Sequence, residues 1–556
     1  MRIMVLGGYG TFGRRVVESL IQFPSLNLLV AGRNRHKSAQ FCAELDPKGQ
    51  RTVALSVDRK DISQALERYH PDILIDASGP FQSYGKAPYI VPKACIASGV
   101  HYLDLADSAP YVDGIKILND QAKSMGVCVI SGLSTCPALT SAVLTEMSQQ
   151  IEIERVTAGL APSPQMHFGL SVIQAMLHMA GDNVQTAQNG TKTEKPYAVA
   201  LGQSVNHSIA PAGEIPLYQR TFMLIDVPEL LVLKDRFPSL TQVWFGAGVG
   251  TRLWTHILRL LAFLRNRLKT PRLTPLAPIA RWVLSNFQHG EHRGGMFVNV
   301  EGTQQGNPAS ACWDLIAEGD DGPKIPVLAV TALIRRWLEG KKPSTGARAA
   351  IAELDFDAFR REFIDRNISF SFRYSHDGRD SLLDGPMGNK VQNLPSVVRD
   401  VHHLSNKRLW TGVANIDVGK TPWAWMIRKL VGFPNAGNRV PIIFRREVLD
   451  DQEVWCRTFR RKTMITRFSM GQGRESRLII ERFGLLDVGT AMVERGGMLH
   501  VVPRTWNFLK LPMPNIFLPV ASIVAAEKTG RYHFKLNVRV PWLGHVVTYS
   551  GHLVPA

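Results

Sequence analysis

The chain has 556 residues, 45% hydrophobic and 20% charged, with a formal net charge of +18. Length and composition place it among ordinary globular proteins of two or three domains, with ample material for sizeable cores. They argue against a membrane-spanning protein, since no stretch reaches the ~18 uninterrupted apolar residues of a span, and the longest, Leu253–Leu264 and Ile516–Ala526, are short or carry Arg or Pro. A first strand at Arg2 leaves no room for a signal peptide's charged and apolar regions. Six scattered cysteines without a Cys-x-x-Cys pair suit a reduced cytoplasmic enzyme and give no metal-site spacing. The positive charge draws a protein to anionic surfaces, yet zinc-finger spacing, an RNA-recognition motif and basic helices with paired half-sites are all missing. Nucleic acid is therefore not an expected partner.

The chain opens with the apolar run Arg2–Leu6, then Gly7-Gly8-Tyr9-Gly10-Thr11-Phe12-Gly13, then a helical pattern through Arg14, Val16, Val17, Leu20 and Ile21. Strand, glycine turn and helix in that order form the Gly-x-Gly-x-x-Gly fingerprint of dinucleotide binding at Gly8, Gly10 and Gly13. Gly8 is expected to permit the tight turn, Gly10 to admit the pyrophosphate, and Gly13 to let the helix pack on the strand. The phosphates would sit on free N–H groups at the helix N-terminus, beside Gly7, Thr11 and Phe12. The next run, Leu26–Ala31, ends in Gly32-Arg33-Asn34-Arg35-His36-Lys37. An acidic residue about 20 positions past the glycines would hold the ribose of NAD, but Arg33 stands there and no carboxylate follows until Glu44. A guanidinium grips a 2′-phosphate in a fork, so Arg33 and Asn34 favour NADP(H) over NAD(H). The alternative is a solvated basic loop.

Strands and helices then alternate. A Val53–Val57 strand leads to Asp58, placed to contact the adenine. A helix over Ile62–Tyr69 and the strand Ile73–Ala77 follow, ended by Ser78-Gly79-Pro80-Phe81. Next come a helix over about Ala87–Ser98, the strand Tyr102–Leu105, a helix near Tyr111–Met125 and the strand Val127–Ile130. Such alternation implies a parallel sheet covered on both faces, with ligands beyond the C-terminal strand ends. Gly7–Gly13, Ser78–Phe81, Asp104–Ser108 and Ser131–Pro137 should therefore converge on one cleft.

These motifs, with Ala31–Asn34, Tyr84-Gly85, Ala94-Cys95 and Gly99–Asp104, follow one another as in the saccharopine dehydrogenase-like NAD(P)-binding family, which the chain resembles over about residues 1–145. The likeness resumes at Gly294–Val298, Gly322–Pro326 and Pro343–Ala347. It implies nicotinamide-dependent oxidoreduction and a Rossmann domain at 1–137, rejoined near 320–345, with an inserted α+β substrate domain at 138–319. Many relatives carry a Gly-Glu pair after the Tyr-x-Asp strand. Here Ala106-Asp107-Ser108 replaces it, which weakens an amino-acid dehydrogenase reading.

Between Thr251 and Gly290 the insert holds Arg252, Arg259, Arg265, Arg267, Lys269, Arg272 and Arg281, and no Asp or Glu. Arg252, Thr255, His256, Arg259 and Asn266 share one helical face; Leu253, Trp254, Ile257, Leu261, Leu264 and Leu268 fill the other. This is the pattern of a helix lying on an anionic bilayer, and equally of a helix packed on the protein's own core. The segment 251–287 is the expected membrane contact. His256, His289 and His292 lack a partner at metal-ligand spacing.

Residues 346–380 read as a connection, with Arg366–Asp380 as a linker. From 381 to 556 a mainly antiparallel β domain is expected, clearest at Arg531–Val540, where Tyr532, Phe534, Leu536, Val538 and Val540 alternate with polar residues. Leu383–Gly385, Glu481–Gly484, Leu511–Pro514, Val540–Gly544 and Tyr549–Gly551 resemble a domain of unknown function that follows such reductases. An apolar concave sheet face there would suit a hydrophobic ligand or a docking partner.

Proton transfer falls to Tyr84, Tyr102, Asp104 or Asp107, all predicted near strand ends, with Tyr102 and Asp104 taken as the catalytic candidates. Cys136 reads as a pocket-lining buried thiol. The resulting function is an NADP(H)-dependent oxidoreductase with an apolar or lipid-like substrate, cytoplasmic and membrane-associated on the cytoplasmic face. The alternative is a non-catalytic NADP(H) sensor or scaffold with a β-rich ligand- or partner-binding domain. A small-molecule or lipid substrate and an anionic membrane surface are the expected partners, with a homodimer left open.

Overall fold

The computed structural model describes all residues except 86, 167–168, 189–190, 197–203, 249–251, 269–270, 287–289, 376–380, 404–408 and 450–451. The chain divides into two compact units. Unit 1 comprises Met1–Val205, Thr221–Trp313 and Ala317–Ile368; unit 2 comprises Asn206–Arg220, Asp314–Ile316 and Ser369–Ala556.

Unit 1 begins as strict alternation: β1 (Arg2–Leu6), α1 (Thr11–Leu20), β2 (Asn27–Gly32), α2 (Arg35–Leu45), β3 (Thr52–Ser56), α3 (Ile62–Tyr69), β4 (Ile73–Asp76), α4 (Ile90–Ala97), β5 (His101–Asp104), α5 (Ala109–Gly114), α6 (Asn119–Ser124) and β6 (Cys128–Ser131). The strands lie in the order β3-β2-β1-β4-β5-β6, all parallel, which is the doubly wound dinucleotide-binding order. A seventh parallel strand, Gly346–Ala349, adds beside β6. The chain thus returns to this sheet after its insert, just past the expected 320–345. Residues 346–380 are consequently no plain connection: they hold that strand, a helix over Phe356–Phe363 and a strand over Ile368–Tyr374.

The inserted part builds a mixed sheet. Glu152–Ala161 runs parallel to Gln242–Ala247 and antiparallel to Arg293–Gln304. Arg220–Leu224 extends it on one side. Phe222, Phe245 and Phe297 are fully buried in this sheet's core. The insert does not separate as a compact unit of its own; most of it clusters with the Rossmann sheet, and 206–220 and 314–316 fall in unit 2.

Unit 2 is a closed antiparallel barrel. Ten strands follow in space: Leu486–Arg495, Ile479–Phe483, Lys462–Met470, Gln452–Phe459, Gly437–Leu449, Trp410–Val418, Gly544–Pro555, Arg531–Val540, Val520–Lys528 and Met498–Phe508. The last pairs with the first. In Arg531–Val540 the alternation expected from sequence is realised, with Tyr532, Leu536 and Val538 buried and Arg531, Lys535 and Arg539 exposed. The helix Ser396–His402 buries Val398 and Val401 in the barrel core. A second helix, Pro422–Val431, is capped by Thr421, whose hydroxyl accepts from the Ala424 N–H at 3.1 Å. It packs Ile427 and Val431 on the core and turns Trp423, Trp425 and Met426 to the outside.

Candidate functional site

Parallel order brings the C-terminal ends of β1, β4, β5 and β6 side by side, so the four expected segments do share one edge of the sheet. Gly7 holds φ at +77°, and a Cβ on it would lie 2.8 Å from the Ala77 oxygen. The left-handed position is therefore Gly7, one residue before the Gly8 assigned to the turn. Gly8 instead packs against Val30, where a Cβ would come within 2.9 Å of its Cγ1. A Cβ on Gly13 would sit 2.1 Å from the Gly7 oxygen, so α1 approaches the turn more closely than any side chain permits. Gly10 precedes α1 without a capping side chain, and its N–H donates to the Gly7 carbonyl at 2.8 Å. The first N–H groups of α1, from Thr11 and Phe12 onward, have no intrahelical partner. This glycine cradle fits a dinucleotide pyrophosphate.

Tyr9 fixes the turn to the end of β2. Its ring lies where a Gly32 Cβ would be, 2.4 Å away, and its hydroxyl accepts from the Asn34 N–H at 2.9 Å. Asn34, expected to bind cofactor, uses its side chain to cap α2 by accepting from the Lys37 N–H at 3.0 Å. Arg33, Arg35 and Lys37 are exposed around it. Asp58 likewise serves as a cap, accepting from the Lys60 N–H at 3.0 Å.

At the end of β4 the Ser78 hydroxyl donates to Asp76 at 2.6 Å and lies 2.9 Å from the Tyr84 hydroxyl. Burial pushes the Asp76 carboxyl up. Gly79-Pro80 leads to a buried Phe81, whose ring packs on Tyr84 and Tyr111 at 4.9 and 5.1 Å. Arg59 stacks over Tyr84 at 3.2 Å.

Both catalytic candidates are buried. Tyr102 is fully buried within the core under the sheet, its hydroxyl 3.1 Å from that of Tyr111. A parallel sheet covered on both faces buries residues of either parity, so a tyrosine in the strand is no sign of a cleft. Asp104 is also fully buried. One oxygen accepts from the Ala106 N–H, the Ser131 hydroxyl and the Gly132 N–H at 3.0, 3.0 and 2.8 Å, which ties β5 to the turn after β6. Its other oxygen has no hydrogen-bond partner. Burial pushes this carboxyl up to about 7.

Two carboxylates missed from sequence reach the same edge from the insert. Glu229 opens a one-turn helix and is 1% exposed; it accepts from the Thr140 hydroxyl at 2.7 Å. Asp226, three residues earlier, is half-buried. Burial pushes each up to about 7, with Asp107 adding to the shift at Asp226. Asp107 is exposed and accepts from Gln82 at 3.0 Å. Leu231 and Val232 of the same helix pack with Phe81, Ala106 and Tyr111. Cys136 is buried beside Glu229, which together with desolvation keeps its thiol protonated. Asp226 combines partial access with a carboxyl near neutrality, the two attributes of a proton-transfer group.

The raised carboxyls make unit 1 sensitive to pH. An unfolded Asp titrates near 3.9. Between about 4 and 7 the folded chain holds the Asp104 proton that the unfolded chain has released. Stability therefore falls as pH rises through that window and levels above it. Asp104→Asn keeps an oxygen to accept the three hydrogen bonds. It should narrow the difference in melting temperature between pH 4.5 and pH 8, and an unchanged difference would count against this assignment.

These features define a dinucleotide-binding Rossmann fold in one unit and an antiparallel β-barrel in the other. Residues 3–130 match the Saccharopine dehydrogenase NADP binding domain family, and residues 394–553 match a domain of unknown function, DUF4166. The chain thus carries a saccharopine dehydrogenase-type NADP-binding domain at its N-terminal end. No curated protein sequence matches it. Among solved structures it is similar to an amine dehydrogenase from Mycobacterium smegmatis, with 13% identity, 62% of this chain and 94% of that chain covered, and a TM-score of 0.33. A Gfo/Idh/MocA family oxidoreductase from Vibrio cholerae gives 11%, 62%, 91% and 0.29 on the same measures.

Proposed function

We propose that the protein is an NADP(H)-dependent oxidoreductase acting on an apolar, lipid-like substrate at an anionic bilayer. The observation that carries the cofactor reading is the exposed Arg33, Arg35 and Lys37 directly after β2, with no carboxylate before Glu44. When bound, the nicotinamide supplies or accepts the hydride. The protein's own share is to hold the phosphates on the turn between Gly7 and Gly13, and to exchange a proton at Asp226. NADPH should bind at least tenfold more tightly than NADH, a gap of only ~1.4 kcal/mol. Calorimetric titration of Arg33→Ala should show most of that gap gone. Equal affinities in the parent protein would refute the NADP(H) assignment.

The bilayer reading rests on the helices Arg252–Leu268 and Ala277–Asn286. Thr251, Phe287, His289 and the side chains of Leu253 and Trp254 lie outside the described residues. Leu258 packs inward with Ile173, Leu177 and Ala277. Leu260, Leu268, Ile279 and Trp282 are each 58–64% exposed. Apolar side chains this open among cations mark a surface for lipid or partner. One of the seven cations of this segment is already paired: Arg265 turns inward to Asp182 and the Ala180 carbonyl, both at 2.5 Å. Among the described residues no helix is long and apolar enough to cross a membrane, so this contact would be peripheral. Each cation near an anionic leaflet contributes about 1 kcal/mol. Flotation with phosphatidylserine vesicles at low salt should succeed, and Glu at Arg259, Arg267 and Arg281 together should abolish it. Absence of binding by the parent protein would remove the support for a lipid substrate.

A further inference from the structure

Ten strands make the unit 2 barrel wider than side chains readily fill, since about eight strands already leave room for one small ligand. Its lumen holds a cavity of about 110 Å³ walled by residues such as Phe459, Phe468, Leu499 and Ile523. That volume is comparable to cavities that take up a benzene ring. The wall is not wholly apolar. Arg457 enters it with a side chain 14% exposed, bonded to the Thr466 hydroxyl at 2.5 Å and the Tyr549 hydroxyl at 3.4 Å. Glu481 stands 3.8 Å away, too far for a hydrogen bond. Two buried nitrogens on residues that line this space have no hydrogen-bond partner: Nε of Arg457 and Nε2 of His402. Buried donors are rarely left unmade without a reason.

We propose that this lumen is a binding site for a small amphiphilic monocarboxylate, its head on Arg457 beside His402 and its hydrocarbon body against the apolar wall. The site is separate from the dinucleotide cradle and does not depend on the oxidoreductase reading. A guanidinium is the side chain best suited to grip a carboxylate. The balance of charge in the lumen also selects one negative charge over two. Arg446 is already paired with Glu453 at 3.2 Å, leaving Arg457 to face Glu481. Burial pushes the Glu481 carboxyl up to about 7, so near neutrality much of the Arg457 charge is uncompensated. The His402 ring stays neutral, pushed down to about 3 by burial and by Arg446. A dianionic phosphate on Arg457 would also meet the Glu453 and Glu481 carboxyls, with Lys535 on the exposed side of the wall as the other lining cation. A cationic head would leave the guanidinium Nε–H unmade, and a neutral hydroxyl would accept from it without balancing its charge.

Isothermal calorimetry on the full chain tests this with octanoate, octan-1-ol and octylamine. Octanoate should bind with one site per chain, at least tenfold more tightly than the alcohol or the amine, and NADPH should not displace it. Arg457→Met should remove the preference for the acid. Ala525→Phe, which fills the lumen, should abolish binding, with Val501→Phe as a second filling variant if the first does not fold. Failure of the parent protein to bind octanoate, equal binding of acid and alcohol, displacement by NADPH, or undiminished binding in a folded filling variant would each overturn the proposal.

Discussion

Gly13→Ala should lower NADPH affinity at least a hundredfold. The added carbon would sit 2.1 Å from the Gly7 oxygen and 2.7 Å from its carbonyl carbon, both backbone atoms with no rotamer to change. Helix α1 must then move away from the turn, and its first N–H groups move with it. A hundredfold loss is ~2.7 kcal/mol, within what one or two hydrogen bonds to a charged group contribute. Gly322→Ala is the matched control: its Cβ would meet only the Ala317 side chain at 3.8 Å. NADPH fluorescence titrations of the two variants should separate cleanly. Retained affinity in a folded Gly13→Ala protein would mean that the cradle is not where the phosphates bind.

The second large effect lies in the barrel. Arg446 and Glu453 have side chains 3% and 4% exposed and meet at 3.2 Å. Arg446 also donates to the Val401 carbonyl at 3.0 Å, and Glu453 accepts from the Trp455 indole at 2.7 Å. Arg446→Met strands a buried carboxylate, which costs about 3–5 kcal/mol when a buried pair is broken from one side. Pairing it with Glu453→Leu should recover most of that loss, because a buried ion pair replaced on both sides by apolar groups is often neutral. Two units make a single unfolding transition unsafe to assume. Hydrogen exchange of peptides from 440–556 across a urea series would report the barrel alone. A loss under ~1 kcal/mol in the single variant would show that Glu453 finds water or another partner.

The parts of the fold that could be read from sequence were those written in local periodicity and backbone requirement. Glycines at 7, 8, 10 and 13 between an apolar run and a helical stripe have few other uses, and the gathering of four strand ends at one edge followed from the alternation of strands and helices. The side chains at the cleft were harder. Tyr102 was placed near a strand end, yet in a parallel sheet covered on both faces a strand's pattern carries no inside and outside. Glu229 and Asp226 stand around a helix of a single turn, too short for any periodic signal. Arg265 was counted among the cations of the membrane-contact segment because composition cannot see Asp182, 83 residues earlier in the chain. Barrel closure likewise depends on one more pairing, Leu486–Arg495 with Met498–Phe508, which alternation within each strand leaves unspecified. The segments 206–220 and 314–316 belong to unit 2 through contacts distant in sequence.

Hydrogen exchange of the full chain with and without saturating NADPH tests the central reading most directly, since it needs no substrate. Slowed exchange is expected in peptides covering Gly7–Phe12, Arg33–Lys37 and Ser78–Phe81, with NADH protecting the Arg33–Lys37 peptide much less. Protection absent from all three segments at saturating NADPH would contradict a dinucleotide seated at this edge of the sheet.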